Sequence, residues 1–198
     1  MLHEIETFQH NGFTVKLCLD PCPENPRKVF DHMATLYCCH RGYDLGDTTP
    51  AWRNEPLSKE EIIEREGAGQ VLAILPLYVY EHGGITMSAG GFSDRWDSGQ
   101  VGWGYVTREG AEKMGCIGET YDTAFFERAI KGEVEEYDHY LTGQVYGYVV
   151  EDAEGDELES CWGFYGDLDY VRSEARSAAE HARPLGKVDG GATASCHD

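Results

Sequence analysis

Residues 121–166 read YDTAFFERAIKGEVEEYDHYLTGQVYGYVVEDAEGDELESCWGFYG. Phe126, Ile130, Val134, Tyr137 and Leu141 recur at three- and four-residue steps, which is one apolar stripe along a helix over 121–141. Gly132 weakens that helix without breaking it, and Gly143 ends it. Residues 144–150 and 158–164 then read as two strands. The acidic turn Asp152-Ala153-Glu154-Gly155-Asp156 joins them into a hairpin.

The same alternation of hairpin and helix holds on either side. Residues 5–8 and 13–19 are strand candidates, and Asn11-Gly12 between them favours a tight turn because both residues tolerate positive φ. Residues 29–37 fit a strand or a short helix, and 38–47 form a turn-rich connector. Ser58-Lys59-Glu60-Glu61 is a capping-box pattern that opens a short helix, stopped by Gly67 and Gly69. Residues 71–80 read as a central strand, with Pro76 either at a bulge or where no ladder donor is needed. His82-Gly83-Gly84 turns the chain back into 85–88. A loop over 89–99 precedes a strand over 101–107, in which Val101, Trp103 and Tyr105 alternate onto one face. A short helix follows from Thr107 or Arg108 to Gly115. Asp167 caps a last helix to about His181, with Leu168, Val171 and Ala175 facing the core. The pattern predicts an α+β fold: an antiparallel sheet built from hairpins, with two main helices packed on one face. A single domain is expected over 1–183, with a Gly/Ala/Ser-rich tail over 184–198.

Composition narrows the function classes. The 198 residues hold 36 acidic and 16 basic side chains, a net charge of −20. Direct binding to nucleic acid needs the opposite sign, and so does binding to an anionic membrane. The longest apolar run, near 71–79, is too short for a membrane span. The first residues resemble no export signal, and the odd cysteine count suits a reducing compartment, so a cytoplasmic location is expected.

Motifs for catalysis are scarce. The sequence holds no GxSxG, HExxH, phosphate loop or dinucleotide fingerprint. Cys18-x3-Cys22 with Cys38-Cys39-His40 lacks the spacing of a zinc knuckle, and small core residues explain these cysteines better. Cys39, His82 and Asp97 supply the inventory of a nucleophilic set, but a triad is defined by geometry. No cofactor or metal is expected, and the protein is read as a non-enzyme.

Two regions remain as candidate sites. The loop Ser93-Asp94-Arg95-Trp96-Asp97-Ser98-Gly99-Gln100 gathers an aromatic ring, two carboxylates and two hydroxyls. Its structural reading has Trp96 plugging the core while Asp97 and Ser98 bond the loop backbone. Its functional reading is a ligand site of His82, Asp94, Trp96, Asp97 and Ser98. The second region is acidic: residues 119–180 carry 17 acidic and 4 basic side chains. Glu133, Glu135, Glu136 and Asp138 load the outer side of the main helix, and Asp152, Glu154 and Asp156 load the hairpin turn. Carboxylates on rigid elements can imitate a row of phosphates. The plain alternative is a solubilising surface on a structural accessory protein.

Four segments carry a family resemblance: His40-Arg41-Gly42-Tyr43-Asp44-Leu45-Gly46-Asp47, Leu75-Pro76-Leu77-Tyr78 through His82-Gly83-Gly84-Ile85-Thr86-Met87-Ser88, Trp96-Asp97-Ser98-Gly99-Gln100-Val101-Gly102, and Tyr140-Leu141-Thr142-Gly143-Gln144-Val145-Tyr146-Gly147-Tyr148 with Ser160-Cys161-Trp162-Gly163-Phe164-Tyr165-Gly166. In this order they resemble a family of small proteins encoded by bacteriophages and other mobile elements. The resemblance implies an accessory protein of a mobile element, a setting in which anti-restriction and anti-CRISPR inhibitors are common. It transfers no catalytic residue. The expected partner is therefore a host nucleic-acid-binding defence protein or complex, met in the host cytoplasm through Glu133, Glu135, Glu136, Asp138, Asp152, Glu154 and Asp156.

Overall fold

The computed structural model describes residues 2–47, 56–93, 96–118 and 120–183. The tail expected over 184–198 lies outside the described residues. The fold is α+β, with two four-stranded antiparallel sheets and five helices among the described residues. Contacts group the chain into two compact units. One joins the two ends of the chain, up to Pro21 and from Tyr146, and the other is Cys22–Val145. No helix among the described residues is long and apolar enough to cross a membrane.

The first unit holds β1 (His3–His10), β2 (Phe13–Leu19), β7 (Val145–Glu151) and β8 (Glu157–Tyr165), in the spatial order β1-β2-β7-β8. His10 pairs with Phe13 across the expected two-residue turn, where Asn11 takes φ 51° and Gly12 φ 85°. Helix α5 (Leu168–His181) packs on one face of this sheet. Its Val171, Ala175, Ala178 and Ala179 meet Val15, Leu17, Tyr148 and Val150 in one apolar cluster. Small alanines let helix and sheet approach closely, and burying such side chains is the main favourable term. Asp167 caps the helix by accepting from the backbone N–H groups of Asp169 and Tyr170. Arg172 ties α5 to β1 through a bond to Glu6, 2.7 Å. That contact holds the Glu6 carboxyl below its ordinary pKa.

The second unit holds β3 (Ala34–Cys38), β4 (Val71–Glu81), β5 (Ile85–Ser88) and β6 (Ser98–Thr107), in the order β3-β6-β4-β5. The stretch 29–37, open between strand and helix in the sequence, resolves into α1 (Pro26–Val29) followed by β3. Helix α4 (Thr123–Leu141) lays Phe126, Ile130, Val134 and Tyr137 against Leu36, Leu77, Val79 and Val106. A Cβ on Gly104 would stand 2.8 Å from Ile130 Cγ2, so this glycine permits the close helix–strand approach. The opposite face of the sheet carries Tyr37 and Tyr105, covered by Ile62 of α2 (Lys59–Glu66). The capping box forms as expected, with Ser58 Oγ accepting from Glu61 N–H and Glu61 accepting from Ser58 N–H. Helix α3 (Arg108–Lys113) follows β6 directly, capped by Thr107.

Two strand details depart from simple alternation. Val101 does not share a face with Trp103 and Tyr105. The β4–β6 register shifts at Leu77/Tyr78, where Leu77 pairs with Gly102 and Tyr78 with Gln100, so Val101 is skipped and joins the α4-side core. Pro76 takes the second of its two options. Strand β5 pairs only with Tyr78–Glu81, so Pro76 faces no ladder on that side.

Candidate functional site

The four carboxylates of α4 do not behave alike. Glu133 turns inward: it accepts from the backbone N–H of Met33 at 2.9 Å and from Arg27 Nη1 at 2.8 Å. The Arg27 side chain is only 2% exposed. Its Nε and Nη2 make a fork onto Asp47 at 2.8 and 2.6 Å, and Nη2 also donates to the carbonyl of Ala34. Asp47 in turn accepts from Leu36 N–H at 2.8 Å. Burial alone would lower the pKa of Arg27, but the bonds and charges of Asp47 and Glu133 outweigh it and raise that pKa. These three side chains form a satisfied internal network that fastens α1, β3 and the connector to α4.

Asp138 is also engaged. It accepts from Thr86 Oγ1 at 2.6 Å and from Met87 N–H at 2.7 Å, which pins β5 to the helix. Replacing Asp138 with alanine strands both donors and is expected to lower stability by about 2 kcal/mol, measured by urea unfolding. Of the α4 group, Glu135 is exposed and Glu136 half-buried, and the exposed residues of the same helix include the cations Arg128 and Lys131. The expected acidic row on the helix thus shrinks to two positions.

The hairpin group lies in the other unit. Asp152 builds the turn: its Oδ1 accepts from the backbone N–H groups of Glu154 and Asp156, at 3.0 and 2.9 Å. The turn is closed by Asp152 N–H donating to the Asp156 carbonyl and Gly155 N–H to the Asp152 carbonyl. With Asp152 spent on the backbone, Glu154 and Asp156 stand exposed, and so do Glu157 and Glu159 on β8. These last two complete the surface; their signal is the two-residue strand step, which places both on one face about 6.8 Å apart. Residues 132–171 hold twelve carboxylates and no lysine or arginine.

The loop after β5 makes a different site. Asp94 lies outside the described residues. Trp96 is not a core plug; it is 95% exposed. Asp97 Oδ2 stands 3.2 Å from His82 Nδ1. Glu81 N–H donates to the Asp97 carbonyl, which sets these two residues opposite each other where β4 and β6 meet. Glu81 in turn bonds His40 Nε2 at 2.8 Å. His40 Nδ1 accepts from the backbone N–H groups of Gly42 and Tyr43, so its proton sits on Nε2. A cleft of about 530 Å³ opens here, lined by His40, Arg41, Glu81, Trp96, Asp97 and Gln100, with Cys39 and Ser98 also on its wall. His82 reaches this cleft only through Asp97.

This geometry does not pair Cys39 with His40 as nucleophile and base. Both ring nitrogens of His40 are occupied, so His40 is not the base for the neighbouring Cys39. Burial raises the Cys18 thiol and pushes Cys38 up to about 12, which keeps both protonated. Among the described residues, no group of three or more His, Cys, Asp or Glu side chains is placed to hold a metal ion. Comparison with protein-family models, with curated proteins and with solved structures finds no match.

Proposed function

We propose that this protein acts by binding, as an acidic inhibitor that occupies a Lys/Arg-lined nucleic-acid channel of a host defence complex in the host cytoplasm. The observation that carries this reading is the β7–β8 hairpin. Glu154 and Asp156 on the turn that Asp152 closes, and Glu157 and Glu159 on β8, stand exposed, and none of the four forms an ion pair among the described residues, whereas Glu151 of β7 is paired with Lys16. A turn already closed by backbone hydrogen bonds has little main-chain freedom to lose on docking, and exposed carboxylates speed encounter with a basic partner. The resemblance to proteins of mobile elements supports an anti-restriction or anti-CRISPR setting. Of the α4 carboxylates, which belong to the other unit, Glu133 and Asp138 hold the fold.

The test is capture of partners from host lysate on tagged protein at low and high salt. The expected result is one dominant nucleic-acid-binding complex that salt elutes and that its own DNA or RNA displaces. A partner held equally at both salt concentrations and indifferent to nucleic acid would sink the reading.

A further inference from the structure

The cleft at the junction of β4 and β6 shares no residue with the acidic hairpin, and its volume of about 530 Å³ suits a small ligand. Three features of it need a cause. Glu81 and Asp97 face each other across the strand pair. Like charges so placed destabilise a sheet, and here each carboxylate is met by a histidine, Glu81 by His40 and Asp97 by His82. Arg41 lines the same cleft and forms no hydrogen bond or ion pair with a described residue, in a chain whose net charge is −20. Trp96 keeps a large apolar ring 95% exposed to water at this cleft.

Charge narrows the ligand class. A phosphate or carboxylate ligand would meet Glu81 and Asp97, and a cation would meet Arg41. A neutral molecule dense in donors and acceptors satisfies both signs. Flat carboxylate and guanidinium groups each engage two neighbouring hydroxyls. Gln100 donates from Nε2 to the Gly102 carbonyl at 3.2 Å, which leaves its Oε1 to accept. An exposed indole suits a ligand with one apolar face. We propose that this cleft binds a neutral saccharide, with a sugar ring lying on Trp96 and its hydroxyls bonded to Glu81, Asp97 and Arg41. The site uses none of the hairpin carboxylates, so it stands or falls independently of the inhibitor reading.

The experiment titrates the full-length protein with maltohexaose, cellohexaose, chitohexaose and xylohexaose, followed by calorimetry. Guanosine and glucose 6-phosphate serve as planar and anionic comparisons. At least one neutral oligosaccharide is expected to bind. Trp96→Ala, Arg41→Ala and Asp97→Asn are each expected to weaken it about tenfold or more, with the melting temperature unchanged. Three results would overturn the proposal: no binding by any of the four sugars, equal binding by Trp96→Ala, or guanosine or glucose 6-phosphate bound in their place.

Discussion

Arg27→Ala is expected to lower the unfolding free energy by about 3–5 kcal/mol, the cost of leaving buried charges uncompensated. Arg27 is the cation shared by Asp47 and Glu133, which both stay largely shielded from water when it is removed. Among the described residues no second lysine or arginine lies within ion-pair distance of either carboxylate; His32 Nδ1, at 3.6 Å from Glu133, lies outside hydrogen-bond range. The loss is read as a lower urea midpoint with unchanged slope. A companion variant, Arg27→Met with Asp47→Asn and Glu133→Gln, removes the stranded charges and is expected to recover part of the loss. A single-variant loss below about 1 kcal/mol would mean that water reaches the network.

Gly46→Ala, one residue before Asp47, is expected to cost roughly 3 kcal/mol, combining left-handed backbone strain with overpacking. Gly46 sits at φ 69°, and a Cβ there would stand 2.4 Å from the Leu36 carbonyl oxygen and 3.0 Å from Cys38 Sγ. Its N–H also donates to the Tyr137 hydroxyl at 3.2 Å, so a shift of this turn disturbs α4 as well. Thermal unfolding measures it; an unchanged melting temperature would show that the turn relaxes freely. Arg27 and Gly46 together assign a structural role to the Leu45-Gly46-Asp47 part of the family-like segment. Leu45 is buried, Gly46 makes the turn, and Asp47 clamps Arg27.

Elements governed by local chemistry were legible from sequence. The Asn11-Gly12 turn, the Ser58 capping box, the Asp167 cap and the stripe of Phe126, Ile130, Val134 and Tyr137 depend on neighbours within a few residues. What the sequence hid depends on distant partners. Glu133 looks like a solvated helix residue until Arg27, 106 positions away, folds against it, and Asp138 finds Thr86 at a separation of 52. Periodicity reports that a carboxylate lies off the apolar stripe, not whether a donor waits there. The skipped Val101 is hidden in the same way, since a bulge is set by the register of two strands. The cleft was half legible. The Trp96-Asp97-Ser98 loop stands out by composition, but His40, Arg41 and Glu81 join it only because β3, β6 and β4 lie side by side.

The inhibitor reading turns on four side chains. The decisive measurement is a competition assay with the captured host complex and its labelled nucleic acid. It compares the wild-type protein with the variant Glu154→Gln, Asp156→Asn, Glu157→Gln, Glu159→Gln, shown to be folded by its melting temperature. Wild-type protein is predicted to displace the nucleic acid, and the variant to need about a hundredfold more protein for the same displacement. Equal displacement by the two proteins would contradict the mechanism and return the charge to a solubilising role.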